Sequence, residues 1–346
     1  MQNSSDIYRV AASRFISRLG AEAAFFVGVW GLAAYRFEAT ASELAVLMLV
    51  LGVTSMVGAA FAGVMIDRFG PQRVLIWAQV AYVPAALSLT LVDSLDTLTV
   101  LVGVFGFVGA PMMTATSSFA PYLVKRPEDL ERANALIEGA GSASFVLGPG
   151  LGALVLSAFS LDAVFYADAI LTTIAALTVL RVSTPPVVRE HSTHPFAELA
   201  EGLRTTYSIR SVRYYVLLGS AIWLGFGAFG ALEPLFYRDA VGTGVETIGW
   251  MNSIFGLGLA MGAYLLTRLP RRVLSARGFA IGAVFVGFGS ILYVGSTELW
   301  RIAVGSILWG LAIGVVEPLM RTLLHMDAPG VHSAHCPLKH PFAQGR

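Results

Sequence analysis

The chain has 346 residues, 56% of them hydrophobic and only 13% charged, with a mean hydropathy of +0.71 and a formal net charge of +1. A water-soluble domain carries about a quarter charged residues, so the composition excludes an ordinary soluble protein and makes lipid the solvent. The near-zero net charge argues against nucleic acid as a partner, and one cysteine, Cys336, leaves no disulfide framework or thiolate metal cluster.

A hydrocarbon core about 30 Å thick takes about 20 apolar residues per helix, and ten stretches meet that length. The first, near 15–36, follows a polar start with Arg9 and Arg14 and has no small-residue cleavage site, so it is expected to stay in the mature chain. Five more lie near 43–66, 73–92, 97–122, 136–160 and 163–181, and the last four near 213–237, 246–267, 277–296 and 300–324. Each must be helical, because a lone strand in lipid leaves its backbone groups unpaired. The expected fold is an all-α membrane protein with ten transmembrane helices and the lipid bilayer as its surroundings.

The one long polar connection, with Pro185, Pro186, His191 and His194, separates the sixth stretch from the seventh. The expected division is a six-helix bundle over 1–182, a linker over 183–212, a four-helix C-terminal bundle over 213–326 and a disordered polar tail over 327–346. The halves look alike: Gly52, Gly58 and Gly106 recur as Gly256, Gly262 and Gly310, all at an offset of 204 residues. Such repeats are common in transporters, whose substrate sites lie at the repeat interface. With the N-terminus inside, seventeen Lys and Arg residues fall on inner segments against three, Arg36, Arg238 and Arg301, on outer ones. That bias predicts a cytoplasmic N-terminus in a cell membrane.

Between the second and third stretches runs Gly63-Val64-Met65-Ile66-Asp67-Arg68-Phe69-Gly70-Pro71-Gln72-Arg73. It resembles the major facilitator signature G-x-x-x-D-R-x-G-x-R-R, with Gln72 in place of the first closing arginine. Gly63 is expected to let helices approach, Gly70 to permit a tight turn, and Asp67 to engage an arginine or a helix N-terminus. The resemblance implies that Gly63, Asp67, Arg68, Gly70 and Arg73 form a conformational latch on the inner side. The alternative is an ordinary Arg-rich turn.

The fifth stretch carries Gly148-Pro149-Gly150-Leu151-Gly152-Ala153, similar to the G-P-x-x-G-G element of the antiporter branches, with Ala153 at the last glycine. Gly148, Pro149 and Gly152 then imply export; the other reading is a packing kink. The run Phe119-Ala120-Pro121-Tyr122, the turn Pro127-Glu128-Asp129-Leu130-Glu131-Arg132 and Asp168 in the sixth stretch resemble the macrolide-efflux and siderophore-exporter branch of that superfamily. The likeness is general in the C-terminal half.

Ionisable residues at membrane depth mark ion or substrate paths. Glu22, about two turns into the first helix with Arg18 four residues before it, is expected to face a cavity and carry a coupling proton, or else to form a structural pair with Arg18. Glu317, beside Pro318 and one turn from Arg321, and Glu233, beside Pro234, are further candidates for transport or proton coupling. Their alternatives are neutralisation of Arg321 and solvation near the outer end. Glu138 and Asp168, near helix ends, receive the same neutral reading. Phe25, Phe26, Trp30, Trp223, Phe226, Phe229 and Trp309, with Met112 and Met113, are able to line an apolar cavity.

No catalytic constellation is visible, so no enzyme is expected, and His332, His335, Cys336 and His340 read as tail, not a metal site. Nothing calls for a cofactor, and no phosphate-binding loop appears, so the expected energy source is an ion gradient. The reading is a secondary active exporter of small amphipathic molecules, drug-like or siderophore-like, coupled to protons or another ion and working by alternating access. Because the family has twelve helices, the chain is expected to be truncated after the tenth. The competing reading is therefore a non-transporting membrane protein that keeps only the scaffold. Neither substrate nor oligomeric state is legible.

Overall fold

The computed structural model describes residues 2–124, 126–182 and 209–327; most of the expected linker and the tail lie outside them. The described residues contain ten helices long and apolar enough to cross a membrane. We number them α1, Gln2–Ala23; α2, Ala41–Phe69; α3, Pro71–Ser88; α4, Leu95–Ser117; α5, Pro127–Ala158; α6, Leu161–Val179; α7, Arg210–Leu235; α8, Glu246–Arg268; α9, Ala276–Val294; and α10, Leu299–Asp327. Two π-helical segments, Ala24–Val29 and Gly31–Arg36, prolong α1, and another, Phe236–Val241, prolongs α7.

Helix starts follow their caps. Ser94, Ser160 and Ser275 accept backbone bonds from Thr97, Ala163 and Gly278, and Glu43 accepts the Thr40 backbone N–H at 2.8 Å. Three boundaries differ from the sequence reading. The first helix begins at Gln2, and in its second turn the buried Asp6 pairs with Arg9. The fourth stops at Ser117, and Ala120–Leu123 forms a separate short turn, because Pro121 has no N–H to continue the ladder. The fifth begins at Pro127 and not at 136: proline suits a first helical position, where its missing N–H costs nothing.

The glycine repeat is visible as packing. Gly58 lies against the Phe107 carbonyl and Gly262 against the Leu311 carbonyl; Gly106 lies against the Leu51 carbonyl and Gly310 against that of Phe255. Both partners of each contact shift by 204 residues, so α2 meets α4 as α8 meets α10, backbone to backbone. Gly52 and Gly256 break the pattern: Gly52 faces open space, while Gly256 packs on Val146 of α5. In the N-terminal half α1 packs on α5 and α6, and α5 in turn packs on α8, joining the two halves.

Candidate functional site

One face of α1 presents Arg14, Ser17, Arg18, Ala21, Glu22 and Phe25 at helical spacing to a cavity of about 230 Å³. Its other walls come from α2, α3 and α4 and include Tyr82, Met112 and Met113. Arg18 Nε donates to Glu22 Oε1 at 2.8 Å, and the Glu22 side chain is 15% exposed, so the expected pair forms on the cavity wall. Behind it, Gly148 of α5 abuts Glu22 Cβ and the Leu19 carbonyl.

Two neighbouring groups carry more structure than the sequence reading assigned them. Arg14, 7% exposed, spans three helices: Nη2 donates to Glu138 Oε2 at 2.8 Å and Nη1 to Ser117 Oγ at 3.0 Å. Asp168 is fully buried and not at a solvated helix end. It accepts the Tyr82 hydroxyl at 3.0 Å, has Thr172 Oγ1 at 3.4 Å, and sits where α1 offers only Gly20.

A second chamber, about 130 Å³, lies between the halves. Glu233 is 5% exposed there, which overturns its reading as a solvated residue. Its Oε1 accepts Asn252 Nδ2 at 2.9 Å and the Tyr293 hydroxyl at 2.7 Å. Since Tyr293 spends its proton on Glu233, the Tyr237 hydroxyl, 2.6 Å away, donates to Tyr293. Phe226 and Phe229 stand 5.4 and 5.1 Å from Trp309, ring to ring, and with Phe26 and Trp30 they wall the chamber; Phe25 borders both chambers. Trp223, expected with them, is half exposed and lies elsewhere.

The remaining candidates sit apart. Arg321 bonds Glu317 at 2.6 Å, but Arg321 is 68% exposed and the pair borders neither chamber. In the loop between α2 and α3, Gly70 has φ 84° and ψ 158°, a region open to glycine almost alone, and its N–H reaches the Ile66 carbonyl at 2.8 Å. Asp67, Arg68 and Arg73 are exposed, with Arg68 over the Phe69 ring. Gln72 donates to the carbonyls of Val179 and Val182 where α6 ends, supplying partners the terminus lacks. Gly63 contradicts its expected role: a Cβ there meets nothing within 4 Å, so no helix approaches it. Replacing Gly70 with Ala should cost about 1–3 kcal/mol, read as a lower unfolding temperature of the purified protein; an unchanged transition would refute the strain.

The helix 5 element splits its faces. Gly148 and Gly152 lie on the backbone of α1, while the Gly150 N–H donates to Ser253 Oγ of α8 at 2.8 Å and Gly249 lies on the Pro149 carbonyl. It therefore wedges α5 between the helix that carries Glu22 and the opposite half.

Repeat-related halves built of membrane-length apolar helices, enclosing chambers with carboxylates on their walls, fit the architecture of a polytopic membrane transporter. Residues 10–335 match the Major Facilitator Superfamily, and the chain belongs to that family. It is 27% identical to the multidrug efflux pump Tap of Mycobacterium tuberculosis, over 77% of this chain and 67% of that protein. It is 26% identical to macrolide efflux protein A of Enterococcus faecalis, over 59% of this chain and 65% of that protein. The chain thus spans about two thirds of the length of these curated relatives. A solved structure of the peptide transporter POT, 14% identical, superposes with a TM-score of 0.70 over 95% of this chain and 83% of that one.

Proposed function

We propose that the protein is a secondary active exporter of small amphipathic molecules, driven by a proton or other ion gradient across the cell membrane, with a cytoplasmic N-terminus. The observation that carries this reading is the Arg18–Glu22 pair on the wall of a largely apolar chamber. A carboxylate held by one arginine and open to a cavity can exchange its partner for a proton, and that exchange is a two-state element on which a gradient can act. The relatives' printed names, multidrug and macrolide efflux, support the outward direction.

In this reading residues 1–182 and 213–326 are the two rocking units. Gly148, Pro149 and Gly152 keep α5 close to α1 and α8 while the units move. The Gly70 turn with Asp67, Arg68 and Arg73 closes the end near the N-terminus. Glu233 belongs to the substrate path, and Glu317–Arg321 is a surface pair with a minor part.

The direct test is efflux of erythromycin and of ethidium from energised cells that express the chain. Extrusion that stops when a protonophore collapses the gradient supports the proposal. Accumulation equal to that of cells lacking the protein, for both compounds and with the protein present in the membrane, argues against it.

A further inference from the structure

Among the described residues, Glu233 is the one carboxylate on the inter-half chamber's wall, and no basic side chain among them shares that wall. Both of its hydrogen bonds fall on Oε1, which leaves Oε2 for whatever enters. The next basic residue along the chain, Arg238, is occupied: it bonds Asp239 at 2.6 Å and reaches the carbonyls of Ala34 and Ala39 across the halves at 2.6 and 3.2 Å. A buried carboxylate served only by neutral donors is costly until a cation or a proton joins it. The rings of Phe226, Phe229 and Trp309 on that wall add aromatic surroundings of the kind that attract an organic cation.

We propose that this chamber receives the positively charged head group of an amphipathic organic cation, with Glu233 as its counter-charge and the surrounding rings as its walls. This rests on the exporter reading and gives its substrate class. Size supports the assignment to a head group. A cavity of about 150 Å³ accommodates a benzene-sized molecule, so about 130 Å³ suits a trimethylammonium or protonated dialkylamine but not a whole drug. The apolar body extends past Phe25, which borders both chambers, towards Leu51, Phe105, Met112 and Met113. The reverse orientation is disfavoured, because the acid on the wall of the first chamber, Glu22, already has Arg18 as its partner, and Arg14 beside it is paired with Glu138.

The test is calorimetric titration of the full chain in lipid nanodiscs, without any gradient, using three ligands of one shape: benzyltrimethylammonium, its neutral isostere with carbon for nitrogen, and phenylmethanesulfonate. The cation should bind at least about tenfold more tightly than the other two. Glu233→Gln, whose carbonyl still accepts from Asn252 and Tyr293, should erase that preference, and Trp309→Leu should weaken the cation alone. Equal affinity for all three ligands, no binding of any, or a preference that survives Glu233→Gln overturns the proposal. Should the Gln variant fail to assemble, the three-ligand comparison on the native protein decides alone. Selective cation binding without any gradient-driven flux would keep this site and remove the exporter reading.

Discussion

Replacing Glu22 with Gln should cut gradient-driven efflux at least about fivefold while leaving substrate-for-substrate exchange. Gln has nearly the same shape and its carbonyl can still accept from Arg18 Nε, so the chamber keeps its form. What it cannot do is take up and release a proton, and that is the property the proposed coupling needs. Coupling free energies between sites are typically about 1–3 kcal/mol, or roughly 5–150-fold, so net efflux should fall by at least the lower figure. Exchange, which needs no change in protonation across a cycle, should stay near the native rate in proteoliposomes with the probe on both sides. Loss of both activities would make Arg18–Glu22 a structural pair. Full retention of net efflux would move coupling to another buried carboxylate; among the described residues Asp168 and Glu233 are buried without a basic partner, whereas the third, Asp6, is paired with Arg9. Arg18→Gln provides the complementary arm: it leaves Glu22 able to titrate without its cation, and should alter the gradient dependence without silencing exchange.

The spans were legible because lipid imposes a length and a composition that few other solvents require, and the family was legible from the string at Gly63 to Arg73. The depth of single residues was less so. The sequence reading put Glu233 four residues from the end of its helix, but the π-helical segment Phe236–Val241 carries the helix further, and Asn252 and Tyr293 converge on the carboxylate from α8 and α9. Asp168 was misjudged for a related reason. Its helix begins at Leu161, two residues before the expected start, and what buries it is Gly20 of α1, a residue with no side chain to announce a contact. Two tyrosines on helices distant in sequence, Tyr82 and Tyr293, give these acids their partners, and no local spacing links them. The aromatic residues fared better, because Phe226, Phe229 and Trp309 were numerous enough that most of any such group had to fall on an interior surface.

Gly152→Leu should destabilise the protein severely, whereas Gly63→Leu should leave its unfolding temperature almost unchanged. Both glycines belong to motifs that resemble family elements, and sequence alone gives them the same weight. In the structure, a side chain at Gly152 meets the backbone of Ala23 and the side chain of Val27, and backbone cannot swing aside as the end of a flexible chain would. Helix α1 would have to move away from α5, carrying Glu22 with it and loosening the seam that Gly148 holds on the same face. Overpacking of this kind costs about 1–3 kcal/mol where the surroundings can relax, and here the obstacle is a helix axis. At Gly63 nothing stands within 4 Å, so the change belongs with surface substitutions of about 0.5 kcal/mol or less. The comparison is made by thermal unfolding of the purified variants, followed by efflux. A stable Gly152→Leu protein would show that α1 and α5 tolerate separation, and the packing account of the helix 5 element would fail. A stable Gly63→Leu protein that nonetheless loses efflux would mean that Gly63 is approached only in another conformation of the cycle, and would tie the loop ending at Arg73 to closure instead of to folding.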